Sequence, residues 1–148
     1  MSYNLRSIID QVQQDIAANL NTFIESTQGT DEDWFTELKF YDGAPRVETD
    51  TYAMGIYLAS PSGAVFEGSA KSQKITVALD CILDDKKDNS NYSTYYLSAV
   101  LDFLTRRTYG VSSNPTYAEA VRVDLDAMVN AFSVAIEITV YNMDRNIR

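Results

Sequence analysis

The sequence contains no histidine, a single cysteine and few of the residues that interrupt regular structure. Its 148 residues include 6 glycines and 3 prolines. The lack of histidine removes the commonest general base, the commonest metal ligand and every nucleophilic triad that depends on it. Hydrophobic residues nevertheless make up 45 % of the chain, which argues against a disordered protein. We therefore expect one folded domain over residues 1–148, without catalytic residues, metal or cofactor.

Basic residues are also scarce. There are 12 of them against 21 acidic residues, so the formal charge is −9. Specific binding of nucleic acid normally depends on a basic surface that displaces counterions from phosphates. The two basic clusters, Arg106 with Arg107 and Arg145 with Arg148, are too small to supply one. We expect no specific binding of nucleic acid.

No apolar run reaches the length of a membrane span or a signal peptide. The opening segment "MSYNLRSIIDQ" already carries Arg6 and Asp10. These features predict a protein made in a cytosol, with no membrane partner. Cys81 lies within an apolar run, where a reduced and buried thiol is far more common than a catalytic one.

Two segments have the three-and-four spacing of amphipathic helices. The first extends from Asn4 to about Ser26. The second begins at Ser90 or Asn91, has Arg106 and Arg107 in its last turn, and is followed by Gly110, which is well placed to close it.

Alternating apolar and polar residues predict strands between and after these helices. The predicted strands cover residues 51–58, 74–84, 121–125 and 130–142. The segment around residues 35–41 is either a short strand or a loop with a packed aromatic anchor. In the last long strand, Phe132, Val134, Ile136, Ile138 and Val140 share one face, which we expect to be core. The opposite face carries small residues at Ala131, Ser133 and Ala135.

The element order predicts an α+β fold. Helix, several strands, helix and two strands follow one another, and such segregated elements favour a mainly antiparallel sheet. We expect about four to five strands, with the two principal helices packed on one face of the sheet.

Clustered aspartates are the one feature that permits an enzymatic reading. Asp80, Asp84, Asp85 and Asp88 crowd one strand end, and Asp124 and Asp126 alternate on another strand, as in a two-metal nuclease. The acidic balance of the chain opposes this reading, because it repels a polynucleotide. "DDKKDNSNYST" also lacks the glycine and the final glutamate of an EF-hand loop. A solvated turn before a helix is the better interpretation.

Tyrosine is unusually abundant, with ten residues. Tyr92, Tyr95 and Tyr96 cluster on the second predicted helix. Tyrosine suits protein interfaces because its ring packs while its hydroxyl stays hydrogen-bonded or hydrated. Partner binding and the rim of an ordinary core are equally compatible with this cluster.

In order and spacing of elements the chain resembles the tail terminator proteins of long-tailed bacteriophages, also called tail completion or neck proteins. The matching segments are "LRSIIDQVQQDIAANL", "TYAMGIYL", "KITVALDCIL", "YYLSAVLDFLTRR", "AVRVDLDA" and "FSVAIEITVYN". Together they cover nearly the whole chain. No catalytic motif belongs to this family, so no residue role is carried over.

The resemblance implies a structural virion protein. Such proteins form a ring, usually of six subunits, that caps the tail tube, ends its polymerisation and joins the tail to the head. The implied partners are further copies of this chain, the tail tube protein and a head-completion or stopper protein. The implied location is the tail or neck of the virion, after assembly in the host cytoplasm. DNA then passes through the ring unbound, and we expect acidic side chains to line the channel.

A ring of identical subunits needs two different patches that fit each other. We expect Ala131, Ser133 and Ala135 to form one flat patch, with Tyr92 and Tyr95 as further interface residues. The segment "SPSGAVFEGSAKSQ" is the expected contact with the tube, through Pro61, Gly63, Phe66 and Lys71.

Other readings remain open. Another neck or baseplate component, or a subunit of a contractile-injection element, fits the same features. A small-molecule-binding α+β domain is the alternative from another class, and its apolar cavity is expected to be flanked by tyrosines and Trp34.

Overall fold

In the residues that the structure describes, the fold consists of two long helices and a five-stranded sheet with small additions. The computed structural model describes residues 5–29, 33–46, 51–59, 66–67, 72–83, 90–110, 115–126 and 130–141. The helices are α1 (Leu5–Thr27) and α2 (Ser90–Leu104). The strands are β1 (Lys39–Asp42), β2 (Ala53–Leu58), β3 (Phe66–Glu67), β4 (Ser72–Ile82), β5 (Thr108–Tyr109), β6 (Thr116–Tyr117), β7 (Glu119–Asp126) and β8 (Ala131–Tyr141).

The main sheet has the strand order β1-β2-β4-β8-β7, and β3 adds a short pairing to β4. All of these pairs are antiparallel except β1 with β2, which is parallel. The predicted α+β fold with a mainly antiparallel sheet is confirmed, with one parallel pair that the sequence did not indicate. β5 and β6 form a separate two-stranded sheet.

Both helices pack on the same face of the main sheet. From α1, the apolar stripe of Ile8, Val12, Ile16 and Leu20 is fully or almost fully buried. The facing residues of β4 and β8 alternate as expected for strands with one covered side. Ile75, Val77, Leu79 and Cys81 of β4 and all five predicted core residues of β8 are 3 % exposed or less. This confirms the predicted core and the buried Cys81 thiol, whose pKa is raised by that burial.

On α1, Ile24 is fully buried, whereas Phe23 beside it is only partly buried. One feature of α2 differs from the sequence-based expectation. Gly110 does not close α2, because the helix ends six positions earlier at Leu104. Gly110 has φ +115°, and its N–H and C=O both bond to the Gln11 side chain, at 3.0 and 2.8 Å.

Arg106 and Arg107 therefore lie after α2 rather than in its last turn. The Arg107 guanidinium lies 4.0 Å above the Phe103 ring and 3.4 Å from Asp15 of α1. This contact ties the end of α2 to α1. Neither helix in the described ranges combines the length and the apolar character that crossing a membrane requires.

Candidate functional site

In the part of the chain that the structure describes, one face of the main sheet carries no helix, and we call it the uncovered face. Its floor is made by the residues of β2, β4 and β8 that point away from the helices. Small side chains dominate it: Ala78, Ala131, Ser133 and Ala135. A concavity of about 1040 Å³ lies on this face, lined by those residues together with β7 and the segment before β2. The predicted flat patch is therefore a hollow.

A hydrogen-bond network crosses the floor of the hollow over three strands. The Asp80 carboxylate of β4 accepts a bond from Ser133 Oγ of β8 at 2.6 Å. Its other oxygen accepts a bond from the Tyr57 hydroxyl of β2. Partial burial and the neighbouring Asp80 carboxylate raise the pKa of Tyr57 to about 12. The network is held in place because Ala78 stands opposite both Tyr57 and Ala135, and Asp80 stands opposite Ser133.

One wall of the hollow is built by backbone that crosses over β2. A Cβ atom added to Gly55 would lie 1.9 Å from the Gly43 carbonyl oxygen and 2.8 Å from Pro45 Cδ. Only glycine permits this close approach. Ala44 and Pro45 consequently stand above the sheet beside Tyr57 and line the hollow.

The opposite wall is β7, which is exposed along its whole length. A register shift between Ala120 and Arg122 marks a bulge at Val121. Beyond it, Arg122 and Asp124 project on the uncovered side, because they stand opposite Ala135 and Ser133. Arg122 Nε lies 2.8 Å from Asp124 Oδ2. Val123 and Leu125 alternate with them, and each is 43 % exposed.

The network on the floor predicts a change of stability at alkaline pH. In the unfolded chain Tyr57 loses its proton near pH 10, whereas in the folded protein it keeps it to about pH 12. Its stabilising contribution is thus complete below pH 10 and is lost as the pH rises towards 12. We expect the difference in unfolding free energy between the native protein and Tyr57→Phe to shrink over that range, measured by urea unfolding. Tyr117→Phe, at a tyrosine that is 69 % exposed, controls for the loss of a surface hydroxyl. If the difference in unfolding free energy between the native protein and Tyr57→Phe stayed constant from pH 10 to 12, the raised pKa of Tyr57 would be contradicted.

Tyr92 and Tyr95 lie on α2, and therefore on the opposite side of the sheet from the hollow. Their rings stack with centroids 6.3 Å apart, and Tyr95 also packs against Trp34 at 5.2 Å. Tyr95 is 42 % exposed. The five predicted interface residues thus form two separate patches, and their role stays a prediction.

Trp34 is buried in the core against Tyr96. It does not line the hollow, so the hollow is not the cavity bordered by Trp34 and tyrosines that the alternative reading expects. The tyrosine that reaches the hollow is Tyr57.

Most of the predicted tube-contact loop lies outside the described residues. This applies to Pro61, Gly63 and Lys71. Phe66 begins β3, where its backbone pairs with Ile75. The clustered aspartates Asp84, Asp85 and Asp88 also lie outside the described part. Among the residues that are described, no group of three or more histidine, cysteine, aspartate or glutamate side chains is placed to hold a metal.

Sequence reasoning missed the three-strand network and both walls of the hollow. Tyr57 and Asp80 were each placed on predicted strands, but their contact depends on which strands are neighbours. The only local signal was Gly55, a glycine inside a strand pattern, which often marks close backbone approach.

No family model matches the chain, and a search of curated proteins finds no match. The functional interpretation therefore depends on the residues and their geometry.

Proposed function

We propose that this protein is a structural subunit of a tailed bacteriophage, which assembles into a ring at the end of the tail tube. In this role it ends tube polymerisation and joins the tail to the head connector. The observation that carries the proposal is the uncovered face. One side of the sheet holds both helices, and the other is a hollow floored by small residues, a shape suited to enclosing a channel or receiving another chain.

The charge on the uncovered face supports a channel for DNA. Among the side chains that the structure describes, the charged ones on this side of the strands are Asp80, Glu119, Asp124, Asp126 and Glu137, against Lys39, Lys74 and Arg122. Acidic residues therefore outnumber basic ones. A wall of this kind does not grip phosphates, so DNA can slide past it. A ring whose lumen is lined mainly by lysine and arginine would contradict this.

The tube-capping role can be tested with the tail tube protein encoded by the same genome. We expect tubes grown with this chain to be shorter than tubes grown alone, with a ring at one end in electron micrographs. Unchanged tube lengths, together with no co-sedimentation of this chain with tubes, would rule out the role of terminator.

Ala135→Arg tests where the uncovered face lies in the ring. If a neighbour packs flush against Ala131, Ser133 and Ala135, the long cation prevents assembly and leaves a folded monomer. Because the face is hollow, we expect it to line the channel instead, so that Ala135→Arg still forms rings. Light scattering after size-exclusion chromatography distinguishes the two results, and Thr139→Arg, at an outward position further along β8, is a matched control. A folded, monomeric Ala135→Arg would place the interface on this face.

A further inference from the structure

We propose that the ring closes by joining the two edges of the sheet, so that β7 of one copy pairs antiparallel with β1 of the next copy, with Tyr41 opposite Arg122. This inference rests on the proposed self-assembly and names the surface that carries it. The occupant of each open edge is thus a second copy of this chain.

The exposed apolar side chains are concentrated at these edges. Among the described residues, six large hydrophobic side chains are exposed, and four of them lie on β1 or β7: Tyr41, Val121, Val123 and Leu125, each 43–50 % exposed. In the described part of the chain, no strand pairs with the outer side of either edge. An exposed edge strand with apolar residues is a template for pairing with another chain.

The strand directions allow the two edges to meet in a cyclic arrangement. β1 is parallel to β2, and each of the next three pairs is antiparallel. β7 therefore runs opposite to β1. When an identical copy is placed beside β7 with its helices on the same side, its β1 lies antiparallel to β7. Such a head-to-tail contact is heterologous, as a ring requires.

On β1, the backbone groups that point outward belong to Phe40 and Asp42. The Lys39 N–H donates to the Tyr52 carbonyl at 2.8 Å. The backbone groups of Lys39 and Tyr41 therefore face β2, and those of the alternate residues, Phe40 and Asp42, face outward. Leu38, the outward residue before the strand, is already bonded through its N–H and C=O to the Asn21 side chain, at 2.8 and 3.0 Å. Asn21 therefore ends the open edge at this point.

On β7, the outward backbone groups belong to Val123 and Leu125. Leu83 N–H donates to the Asn130 carbonyl at 2.9 Å, so the even-numbered residues of β8 face β4 and the odd-numbered ones face β7. Arg122 and Asp124 stand opposite Ala135 and Ser133, and their backbone groups therefore face β8. The alternate residues are left pointing to the open edge.

The side chains favour one register among those that the outward-facing backbone groups allow. With Phe40 opposite Val123, two outward-facing backbones meet and two apolar side chains lie together on the helix side. Lys39 then stands opposite Asp124, a pair of opposite charges. Tyr41 stands opposite Arg122, whose guanidinium can lie over its ring. Moving β1 by two residues would keep an apolar pair, Phe40 with Leu125, and a pair of opposite charges, Lys39 with Asp126. It would place Tyr41 opposite Asp124, so the contact of Tyr41 with Arg122 is what favours the proposed register.

Edge joining also places the same face of every copy on the same side of the ring. A sheet that continues from copy to copy and bends towards its hollow side encloses the uncovered face and leaves α1 and α2 outside. Asp80, Asp124 and Glu137 then face the lumen. The acidic channel and the edge contact are thus consequences of one arrangement.

Engineered disulfides test the register directly. Tyr41 and Arg122 form a pair whose backbones point away from each other, with an expected Cα separation of about 4.5 Å, within the range for a disulfide. Within one chain these residues lie on opposite edges, roughly 19 Å apart across four strand spacings. Under air oxidation, the double variant Tyr41→Cys with Arg122→Cys is expected to form covalent multimers up to the size of the ring. Lys39→Cys with Asp124→Cys is a second pair in the same register, and the native Cys81 is only 1 % exposed.

The outcomes separate this inference from the proposed function. Covalent multimers from both pairs, reversed by reductant, support the edge contact. If rings form in reductant but neither cysteine pair cross-links on oxidation, the edge contact is wrong, whereas the proposed ring is still supported. If Tyr41→Cys with Asp124→Cys links more efficiently than Tyr41→Cys with Arg122→Cys, the proposed register is wrong. If Val123→Cys alone forms disulfide-linked dimers, two copies of β7 lie side by side, and the contact between β7 and β1 is wrong. A chain that stays monomeric at every concentration overturns the ring and the edge contact together.

Discussion

The Val123→Pro variant is expected to stay folded and to lose ring assembly. Proline lacks an N–H group, and in a sheet it is tolerated where that group would point away from the neighbouring strand. The Val123 N–H points to the open edge of β7, so the pairing with β8 is kept. In the ring, the same position faces Phe40 of the next copy, where proline removes a hydrogen bond and brings its own ring against the incoming strand.

The size of this effect is measurable. A loss of about 1.4 kcal/mol of binding free energy per contact between subunits raises the protein concentration needed for assembly by about tenfold. A closed ring contains one such contact for each subunit. Val123→Thr is the matched control, because it keeps the N–H and the shape of the side chain. Circular dichroism verifies folding, and light scattering measures assembly. Rings of Val123→Pro that form at the same concentration as those of Val123→Thr would contradict the edge contact.

Tyr96→Ala is expected to lower the free energy of unfolding by about 3–5 kcal/mol. Tyr96 is fully buried, with Trp34 5.2 Å away and Phe35 6.2 Å away between ring centroids. Its hydroxyl donates to the Thr36 carbonyl at 2.7 Å and accepts from the Thr36 N–H at 2.6 Å. The side chain therefore fixes the segment that leads into β1 as well as filling the core.

One further variant separates the contribution of the Tyr96 hydroxyl from that of its ring, and another is a surface control. Tyr96→Phe keeps the ring and removes only the hydroxyl, so we expect a smaller loss of about 1 kcal/mol. Tyr117→Ala, at a 69 % exposed tyrosine, should change the free energy of unfolding by no more than about 0.5 kcal/mol. Urea unfolding followed by fluorescence measures all three. If Tyr96→Ala were no more destabilising than Tyr117→Ala, the anchoring role of Tyr96 would be wrong.

Periodicity made the helices and the buried faces of the long strands predictable. The stripe from Ile8 to Leu20 and the alternation from Phe132 to Val140 are local patterns, and each indicates both an element and its covered side. The strands β7 and β8 were predictable for the same reason, but their pattern is equally compatible with one long bent strand, and the hairpin follows only from their pairing in the structure.

The open edges and the hollow were not predictable, because both depend on strand order. β1 is four residues long and pairs in parallel with β2, which no local pattern of Lys39–Asp42 indicates. The bulge at Val121 moves Arg122 onto the uncovered side, although Val121, Val123 and Leu125 alternate in sequence as if they shared one face. The contact of Tyr57 with Asp80 likewise appears only when β2 and β4 are neighbours.

The most direct measurement of self-assembly is the mass of the purified protein over a wide range of concentrations, by light scattering after size-exclusion chromatography. Ring closure predicts one assembled species, an integral multiple of the chain mass, that stops growing once it is complete. A monomer at every concentration would contradict the ring, and so would a mass that keeps rising with concentration.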